Sequence, residues 1–276
     1  MRAAVVGHLE WVEFVAVDHV PRPGEIVHAL EWWEEPGGGG AGGAVQLQKL
    51  TGDTTFFTAL GDDDLAVAAN DFLRATGLRV EAARRREPSR RAITYVDPMG
   101  ERTITVLGPR LAPAGADPLD WESLTDTDAV YFTAGDTAAL EAARSARVLV
   151  ATTRVLPQLA EAGVYLDAVV GSAADIGEAY RRGDLDPAPG LVVMTGGEGG
   201  GVYWEGNGPE RRYETVPPPG PVVDRYGAGD SFAAGLTFAL GRGDDAAAAL
   251  AFAARCGAAT VTGRGPYGGQ LTRDEL

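Results

Sequence analysis

The chain has 276 residues and a formal net charge of −15, from 24 basic and 39 acidic residues. A chain of this length can bury a substantial core, and we expect one domain over residues 1–276. The negative charge argues against nucleic acid or an anionic membrane as the main partner. It also disfavours anionic substrates, unless a local basic pocket opposes the overall field. The single cysteine, Cys256, excludes an internal disulfide bond and is typical of a buried structural thiol.

The N-terminal residues lead directly into a short apolar run, Ala3 to Gly7. They lack the charged, apolar and small-residue regions of a signal peptide. No apolar run approaches the ~20 residues that are needed to cross a membrane. These observations predict a cytoplasmic protein.

Short apolar runs alternate with helical segments along the chain. The runs fit strands that are buried on both faces, and they lie at residues 5–6, 129–132, 148–150, 168–170 and 191–194. Helices are predicted over residues 46–50, 65–75, 138–146, 158–162, 230–240 and 244 to about 261. This alternation indicates an α/β fold in which helices cover both sides of a parallel sheet.

Two segments depart from the alternation. Residues 10–30 read as an extended strand, with Glu10 and Val12 on one face and Glu13 on the other. Residues 92–107 read as a hairpin that turns on an Asp-Pro-Met-Gly sequence. We expect these strands to form a small separate sheet beside the main domain.

The most informative motif stands where the first of the two closing helices begins, and its residues are Gly227, Ala228, Gly229 and Asp230. Small residues let the backbone turn tightly, and the first N–H groups of a helix have no partner within it. Together with the helix dipole they form an anion hole suited to phosphate. Asp230 is well placed to take a proton from an attacking hydroxyl, which indicates phosphoryl transfer to an alcohol. The alternative is that Asp230 only caps the helix.

Two further glycine-rich segments precede this motif. One is the run of glycine and alanine at residues 37–44, and the other follows the apolar strand that ends at Thr195. Glycine permits close approach of phosphate oxygens, and a threonine hydroxyl can donate to them. The alternative to a phosphate-binding turn is an ordinary loop that contains glycine. No Gly-Lys-Ser/Thr sequence occurs, which excludes a P-loop kinase.

In this order and spacing, the three segments resemble the signatures of the ribokinase (PfkB) family of small-molecule kinases, over nearly the whole chain. The resemblance implies a three-layer sandwich with a central, mostly parallel sheet. It also implies a small β lid, built from residues of about 10–30 and 92–107, that often carries homodimer contacts. The implied activity is ATP-dependent and magnesium-assisted, with Asp230 as general base. The implied acceptor is a small sugar. A nucleoside is the alternative, and an aromatic wall from Trp11 or Tyr95 would favour it.

The resemblance also assigns residues to the nucleotide, the acceptor and the ions. Those assigned to the nucleotide are Thr195, Gly197 and Gly200 at its phosphates and Ala254 and Gly257 near its adenine. Those assigned to the acceptor pocket are Gly37, Gly38 and Gly42. Asp175 would support Mg²⁺ through water. Asp224 would help to bind a monovalent cation such as K⁺.

Several positions depart from the family's pattern. The usual asparagine of the first glycine block is Gly42 here, and the usual aspartate of the first lid strand is Val12. Glu10 faces the same side as Val12 and is predicted to contact the acceptor instead; a solvated strand charge is the alternative. The family's Asn-x-x-Glu motif supports magnesium and phosphate, and its first and last positions are Ser172 and Asp175 here. A surface helix cap is an equal alternative for Asp175. These departures motivate a second hypothesis, a non-catalytic nucleotide- or sugar-binding protein on this scaffold.

Overall fold

The computed structural model describes all 276 residues. The strands are β1 (Ala3–Val6), β2 (Glu10–Ala16), β3 (Glu31–Gly37), β4 (Thr54–Leu60), β5 (Arg79–Arg84), β6 (Arg91–Val96), β7 (Arg102–Leu107), β8 (Ala129–Phe132), β9 (Val148–Thr152), β10 (Ala168–Ser172), β11 (Leu191–Thr195), β12 (Gly201–Glu205) and β13 (Arg211–Tyr213). The α-helices are α1 (Gly39–Thr51), α2 (Asp64–Ala75), α3 (Thr137–Ala143), α4 (Leu156–Ala162), α5 (Ala228–Arg242) and α6 (Ala246–Thr260). None of these helices combines the length and the apolarity that a bilayer span requires.

The strands form two sheets. The larger has nine strands in the order β13-β12-β11-β10-β9-β8-β1-β4-β5, and the smaller has four in the order β3-β2-β6-β7. From β11 to β5 every neighbouring pair in the larger sheet is parallel, whereas β12 and β13 extend it as antiparallel edge strands. The predicted α/β fold with a mostly parallel sheet is confirmed.

Helices cover both faces of the larger sheet, which gives three layers. Alternate side chains of β1 point to opposite faces, so Ala3 and Val5 join the core beneath α1, α2, α5 and α6, while Ala4 and Val6 join the core beneath α3 and α4. Cys256 of α6 is fully buried in the first of these cores, where burial raises the pKa of its thiol to about 12. It is a structural thiol, as the sequence predicts.

Helix α1 begins at Gly39, well before the predicted start at residue 46. Local propensity disfavours glycine in a helix, so the glycine-rich segment reads as a loop from sequence. Tertiary packing overrides this preference, because a Cβ atom at position 40 would lie 2.4 Å from the His8 carbonyl oxygen. The glycines let the first turn of α1 lie directly against the end of β1.

The smaller sheet has a strand that the sequence did not reveal. The extended segment predicted over residues 10–30 ends at Ala16, and Pro21 and Pro23, which lack an N–H donor, follow in an irregular connection. The chain then returns as β3, antiparallel to β2, and leads directly into the glycine-rich start of α1. The predicted hairpin is present as β6 and β7.

The carboxyl ends of the central parallel strands share one edge of the sheet. In the strand order β1 lies between β4 and β8, and the chain continues from β1 towards one side and from β8 towards the other. Such a switch point leaves a crevice outside the carboxyl ends of the strands, where ligands bind in open α/β sheets. The loops after β1, β8, β9, β10 and β11 all leave the sheet at this edge.

Candidate active site

The start of α5 presents free main-chain donors. Gly227 precedes the helix with a φ of 78°, and no side chain caps the helix. The N–H groups of Ala228, Gly229 and Asp230 donate to no acceptor in the protein. A Cβ atom at position 229 would meet nothing within 4 Å, so the first turn of α5 borders open space at this residue. The geometry suits an anion.

Asp230 lies inside the first turn of α5, two residues after its first residue. It therefore does not occupy the capping position, and the capping alternative is wrong. The half-buried carboxylate has no hydrogen-bond or ion-pair partner in the protein. Burial raises its pKa to about 6; the nearby charges of Glu178 and Glu10 act in the same direction, and Arg102 and Arg154 oppose them. A carboxylate with a pKa near 6 is well suited to general-base catalysis near neutral pH.

The glycine-rich segment lies directly opposite this carboxylate. A Cβ atom at position 39 would lie 2.9 Å from Oδ1 of Asp230, and one at position 42 would lie 3.4 Å from its Cβ. Gly38 has a φ of 88°, a left-handed conformation that favours glycine. The missing side chains leave room for an acceptor hydroxyl beside Asp230. This geometry suits the acceptor contacts assigned to Gly38 and Gly42, which stay predictions.

Tyr226 joins the glycine segment to the smaller sheet, β3-β2-β6-β7, which stands where the lid is predicted and is called the lid below. Its hydroxyl accepts a hydrogen bond from the Gly38 N–H at 3.0 Å and donates one to Oε1 of Glu10 at 3.3 Å. A Cβ atom at position 37 would lie only 2.9 Å from this hydroxyl, which leaves Gly37 no space for a side chain. Glu10 is 6% exposed, so it is not a solvated strand charge. Its contact with an acceptor stays a prediction.

Basic side chains act on Glu10 and on the adjacent His8. Nε of Arg90 lies 3.0 Å from Oε2 of Glu10, and both side chains are nearly buried. The adjacent His8 is also buried, and its pKa is lowered to about 3 by burial and by the charges of Arg110, Arg90 and Arg154. His8 is therefore neutral at physiological pH. Sequence reasoning did not find these arginines, because they come from three separate segments and form no linear motif.

Asp175 and Glu178 bind Arg154 at the end of β10. Nη2 of Arg154 lies 2.5 Å from an oxygen of each carboxylate. Asp175 also accepts a hydrogen bond from the Gly177 N–H at 2.8 Å, and Glu178 accepts one from the Ser172 N–H at 2.8 Å. The magnesium role of Asp175 stays a prediction. The sequence analysis missed Glu178, whose only signal is its position three residues after Asp175.

The loop after β11 reaches the start of α5 through an ion pair. Nη2 of Arg225 lies 2.6 Å from Glu198 of this loop, and Nε of Arg225 lies 2.9 Å from Glu101 of the lid. Gly197 and Gly200 have positive φ values of 62° and 78°, so the tight turn depends on glycine. Within this turn region, the Thr195 hydroxyl donates to the Gly171 carbonyl at 3.2 Å. The phosphate contacts assigned to this loop stay predictions.

The remaining predicted site residues are largely buried. Ala254 is part of the core, and a Cβ atom at position 257 would lie 3.2 Å from the Ala228 carbonyl oxygen, so α6 packs closely on the start of α5. Asp224 is 1% exposed and accepts hydrogen bonds from the N–H groups of Tyr226 at 2.8 Å and Gly265 at 3.0 Å. Burial raises the pKa of Asp224. The adenine and cation assignments stay predictions.

Comparison with known proteins agrees with this geometry. The model of the pfkB family of carbohydrate kinases matches residues 2–273. The chain belongs to this family. It is 29% identical over 280 residues to the ATP-dependent ribose-1-phosphate kinase of Halopiger xanaduensis, covering 95% of this chain and 92% of the relative. It is 28% identical over 300 residues to the ribokinase of Bacillus subtilis, covering 99% of this chain and 97% of the relative.

A solved structure confirms the fold. The ribokinase of Thermotoga maritima superimposes with a TM-score of 0.80 at 24% identity, over 100% of this chain and 97% of that one. The ribokinase-like architecture is therefore confirmed. Membership of the pfkB family also confirms the predicted enzyme class, a phosphotransferase with an alcohol group as acceptor.

Proposed function

We propose that this pfkB-family protein transfers the γ-phosphate of ATP to a hydroxyl group of a small sugar. One observation carries the proposal: Asp230 is a half-buried carboxylate without a partner in the protein, beside free main-chain N–H groups. The names of two of its relatives, an ATP-dependent ribose-1-phosphate kinase and a ribokinase, support a sugar acceptor.

In this proposal the Asp230 carboxylate and the main-chain N–H groups of the chain have separate roles in the transfer. Asp230 accepts the proton of the acceptor hydroxyl as the hydroxyl oxygen attacks. The N–H groups of Ala228 and Gly229 donate to the oxygens of the group in transfer, where negative charge must be stabilised. When bound, ATP would supply the phosphoryl group and Mg²⁺ would offset the charge of its phosphates. Closure of the lid would exclude water from this site.

The side chains present fit a magnesium ion held mainly by phosphate and water. The chain contains no group of three or more His, Cys, Asp and Glu side chains that could hold a metal ion by themselves. Magnesium keeps several waters when it binds at such sites. Asp175, or its neighbour Glu178, would contact it through water. For K⁺, the Asp224 carboxylate keeps lone pairs beyond the two main-chain hydrogen bonds that it accepts.

The aromatic residues of the lid favour a sugar over a nucleoside. The strand register puts Trp11 and Tyr95 on the face of the lid sheet opposite to Val12 and Glu10. Trp33 shares the face of Glu10, but it stacks on Phe14 at 4.9 Å and is contacted by the Arg264 guanidinium at 3.8 Å. No aromatic face is thus free to stack on a base beside Glu10.

We also propose that two copies of this kinase associate through the outer face of the lid. Trp32 lies on that face and is 66% exposed, and Leu30 in the preceding connection is 72% exposed. Large exposed apolar side chains mark interaction surfaces. Sedimentation of the wild type and of Trp32→Glu at micromolar concentration tests this, and a monomeric wild type would contradict it.

The need for ATP supports a cytoplasmic location.

A screen of the purified protein with Mg-ATP against sugars and nucleosides tests the proposed function. We expect ADP release that depends on a sugar acceptor and is lost in Asp230→Asn. Nucleotide binding without transfer to any acceptor would instead favour the non-catalytic binding protein. Transfer to nucleosides alone would contradict the sugar assignment.

A further inference from the structure

We propose that His8 is an acceptor-binding residue, whose imidazole forms a hydrogen bond with a non-reacting hydroxyl group of the sugar. This inference rests on the proposed kinase function and adds a specificity-determining contact to its acceptor site. It follows from the position of the ring above the glycine segment, and from two ring nitrogens that have no partner in the protein.

His8 lies where the two sheets meet. It belongs to the short connection between β1 of the larger sheet and β2 of the lid, just after the carboxyl end of β1. A Cβ atom at position 40 would lie 2.4 Å from its carbonyl oxygen and 2.9 Å from its main-chain nitrogen, so the first turn of α1 packs directly against this connection. The backbone of His8 is therefore held between β1 and α1, which gives its side chain a defined place.

The His8 imidazole borders the space above Gly38 and Gly39. A Cβ atom at position 38 would lie 3.2 Å from Nε2 of His8 and 3.4 Å from Cγ of Glu10. A Cβ atom at position 39 would lie 3.8 Å from Cε1 of His8 and 2.9 Å from Oδ1 of Asp230. The same glycine surface is thus bordered by His8 and by the proposed base. A sugar ring that presents one hydroxyl to Asp230 can present another to His8.

Neither ring nitrogen of His8 has a partner within the protein. Nδ1 is enclosed and makes no hydrogen bond. Nε2 also makes none, and it is the nitrogen that faces the glycine surface. A buried polar group without a partner is costly, and most such groups in folded proteins are satisfied by protein, water or ligand. The fold therefore leaves Nε2 of His8 available to a ligand.

A neutral imidazole is suited to a hydroxyl group. Burial and then the charges of arginine side chains lower the pKa of His8 to about 3, so the ring carries no charge near neutral pH. In one tautomer Nε2 donates and in the other it accepts, and a hydroxyl matches both because it can do either. A charged group of the ligand would gain no ion pair with this ring. The low pKa also makes His8 a poor proton acceptor, which leaves that role to Asp230.

The neighbouring polar groups already have partners. Oε1 of Glu10 accepts a hydrogen bond from the Tyr226 hydroxyl at 3.3 Å, and Oε2 lies 3.0 Å from Nε of Arg90. The Gly38 N–H donates to the same hydroxyl at 3.0 Å. The His8 imidazole has no such partner, so an acceptor hydroxyl that meets it replaces no existing contact within the protein.

Two amide substitutions test the contact. A glutamine side chain can place its amide near the position of Nε2, whereas the shorter asparagine reaches only the position of Nδ1. For His8→Asn we expect kcat/KM for the best sugar of the acceptor screen to fall ~10-fold, mainly through KM, because an uncharged hydrogen bond is lost. For His8→Gln we expect a value within ~3-fold of the wild type. KM for ATP should be unchanged in both variants.

His28→Asn is the matched control for these variants. His28 is an exposed histidine in the connection between β2 and β3, and its replacement should leave the kinetics as in the wild type. Unchanged acceptor kinetics in His8→Asn would overturn the inference, as would a loss confined to kcat or to KM for ATP. Equal losses in His8→Asn and His8→Gln would assign the ring to packing and would overturn the inference as well.

Calorimetric titration with ribose, fructose, glucose and their monodeoxy analogues keeps the test separate from turnover. For the sugar that binds Asp230→Asn most tightly, one monodeoxy analogue should bind this variant ~10-fold more weakly than the parent sugar. The double variant Asp230→Asn/His8→Asn should bind the two equally. If this pattern is found but the wild type phosphorylates no sugar, the His8 contact stands and the kinase function fails. Additive effects of the two deletions would overturn the contact.

Discussion

Replacing Asp230 with asparagine is expected to lower turnover at least ~100-fold, which is the usual contribution of a general base. The amide keeps the shape of the side chain but cannot accept the hydroxyl proton. The free N–H groups at the start of α5 are unchanged, so nucleotide affinity should be kept. Steady-state kinetics together with nucleotide titration measure both quantities.

The same variant should be more stable than the wild type at neutral pH. Folding raises the pKa of Asp230 to about 6. The native state therefore favours the protonated form, and the stability that this carboxyl contributes is lost as pH rises through 6. Asparagine removes the cost of the buried charge, which we estimate at about 1–3 kcal/mol. Thermal unfolding at pH 7.5 tests the sign.

A capping aspartate gives the opposite pattern and serves as the control. Asp245 caps α6, and its side chain accepts a hydrogen bond from the Ala248 N–H at 2.9 Å. Asp245→Ala should lose about 1 kcal/mol of stability and leave turnover unchanged. If Asp230→Asn behaved like Asp245→Ala, losing stability but not activity, Asp230 would be a structural residue.

The second large effect is expected from Gly39→Ala. The new Cβ atom would lie 2.9 Å from Oδ1 of Asp230, closer than real contacts allow. The crowded atom is the end of a flexible side chain, so the carboxylate will move and the fold will survive. A displacement of about 1 Å in a reacting group can cost ~100-fold in rate, and we expect a turnover loss of that order.

Gly42→Ala provides a graded comparison for this prediction. Its Cβ atom would approach Asp230 only to 3.4 Å, an ordinary contact. We expect a much smaller loss of turnover in this variant than in Gly39→Ala, with comparable melting temperatures for both proteins. If Gly39→Ala and Gly42→Ala both turned over as fast as the wild type, the space beside Asp230 would not matter to the reaction.

The part of the site that the sequence predicts is the part that is local. The anion hole and Asp230 come from consecutive residues, and the start of a helix follows from its own composition. Five of the seven parallel strands, β1 and β8 to β11, were recognised because each contains a short apolar run, whereas β4 and β5 were missed. A strand such as β3, with the sequence Glu-Trp-Trp-Glu-Glu-Pro-Gly, has no apolar alternation and was missed.

The rest of the site depends on tertiary proximity. Arg90, Arg110 and Arg154 lie far apart in the sequence, and only the fold brings their charges close enough to act on His8. No role was predicted for Tyr226, since its hydrogen bond to Glu10 joins residues that lie 216 positions apart in the sequence. A single sequence does not indicate contacts between residues that lie far apart in the chain, because no local periodicity or spacing depends on them.

The pH dependence of kcat/KM tests the central claim most directly, because it reports the essential groups of the free enzyme. Asp230 must be deprotonated to accept the proton, and its pKa is about 6. We therefore predict a plateau above about pH 7 and a roughly tenfold fall per pH unit below 6, with this acidic limb absent from the residual activity of Asp230→Asn. An acidic limb of the same midpoint in both proteins would contradict the assignment of Asp230 as the base.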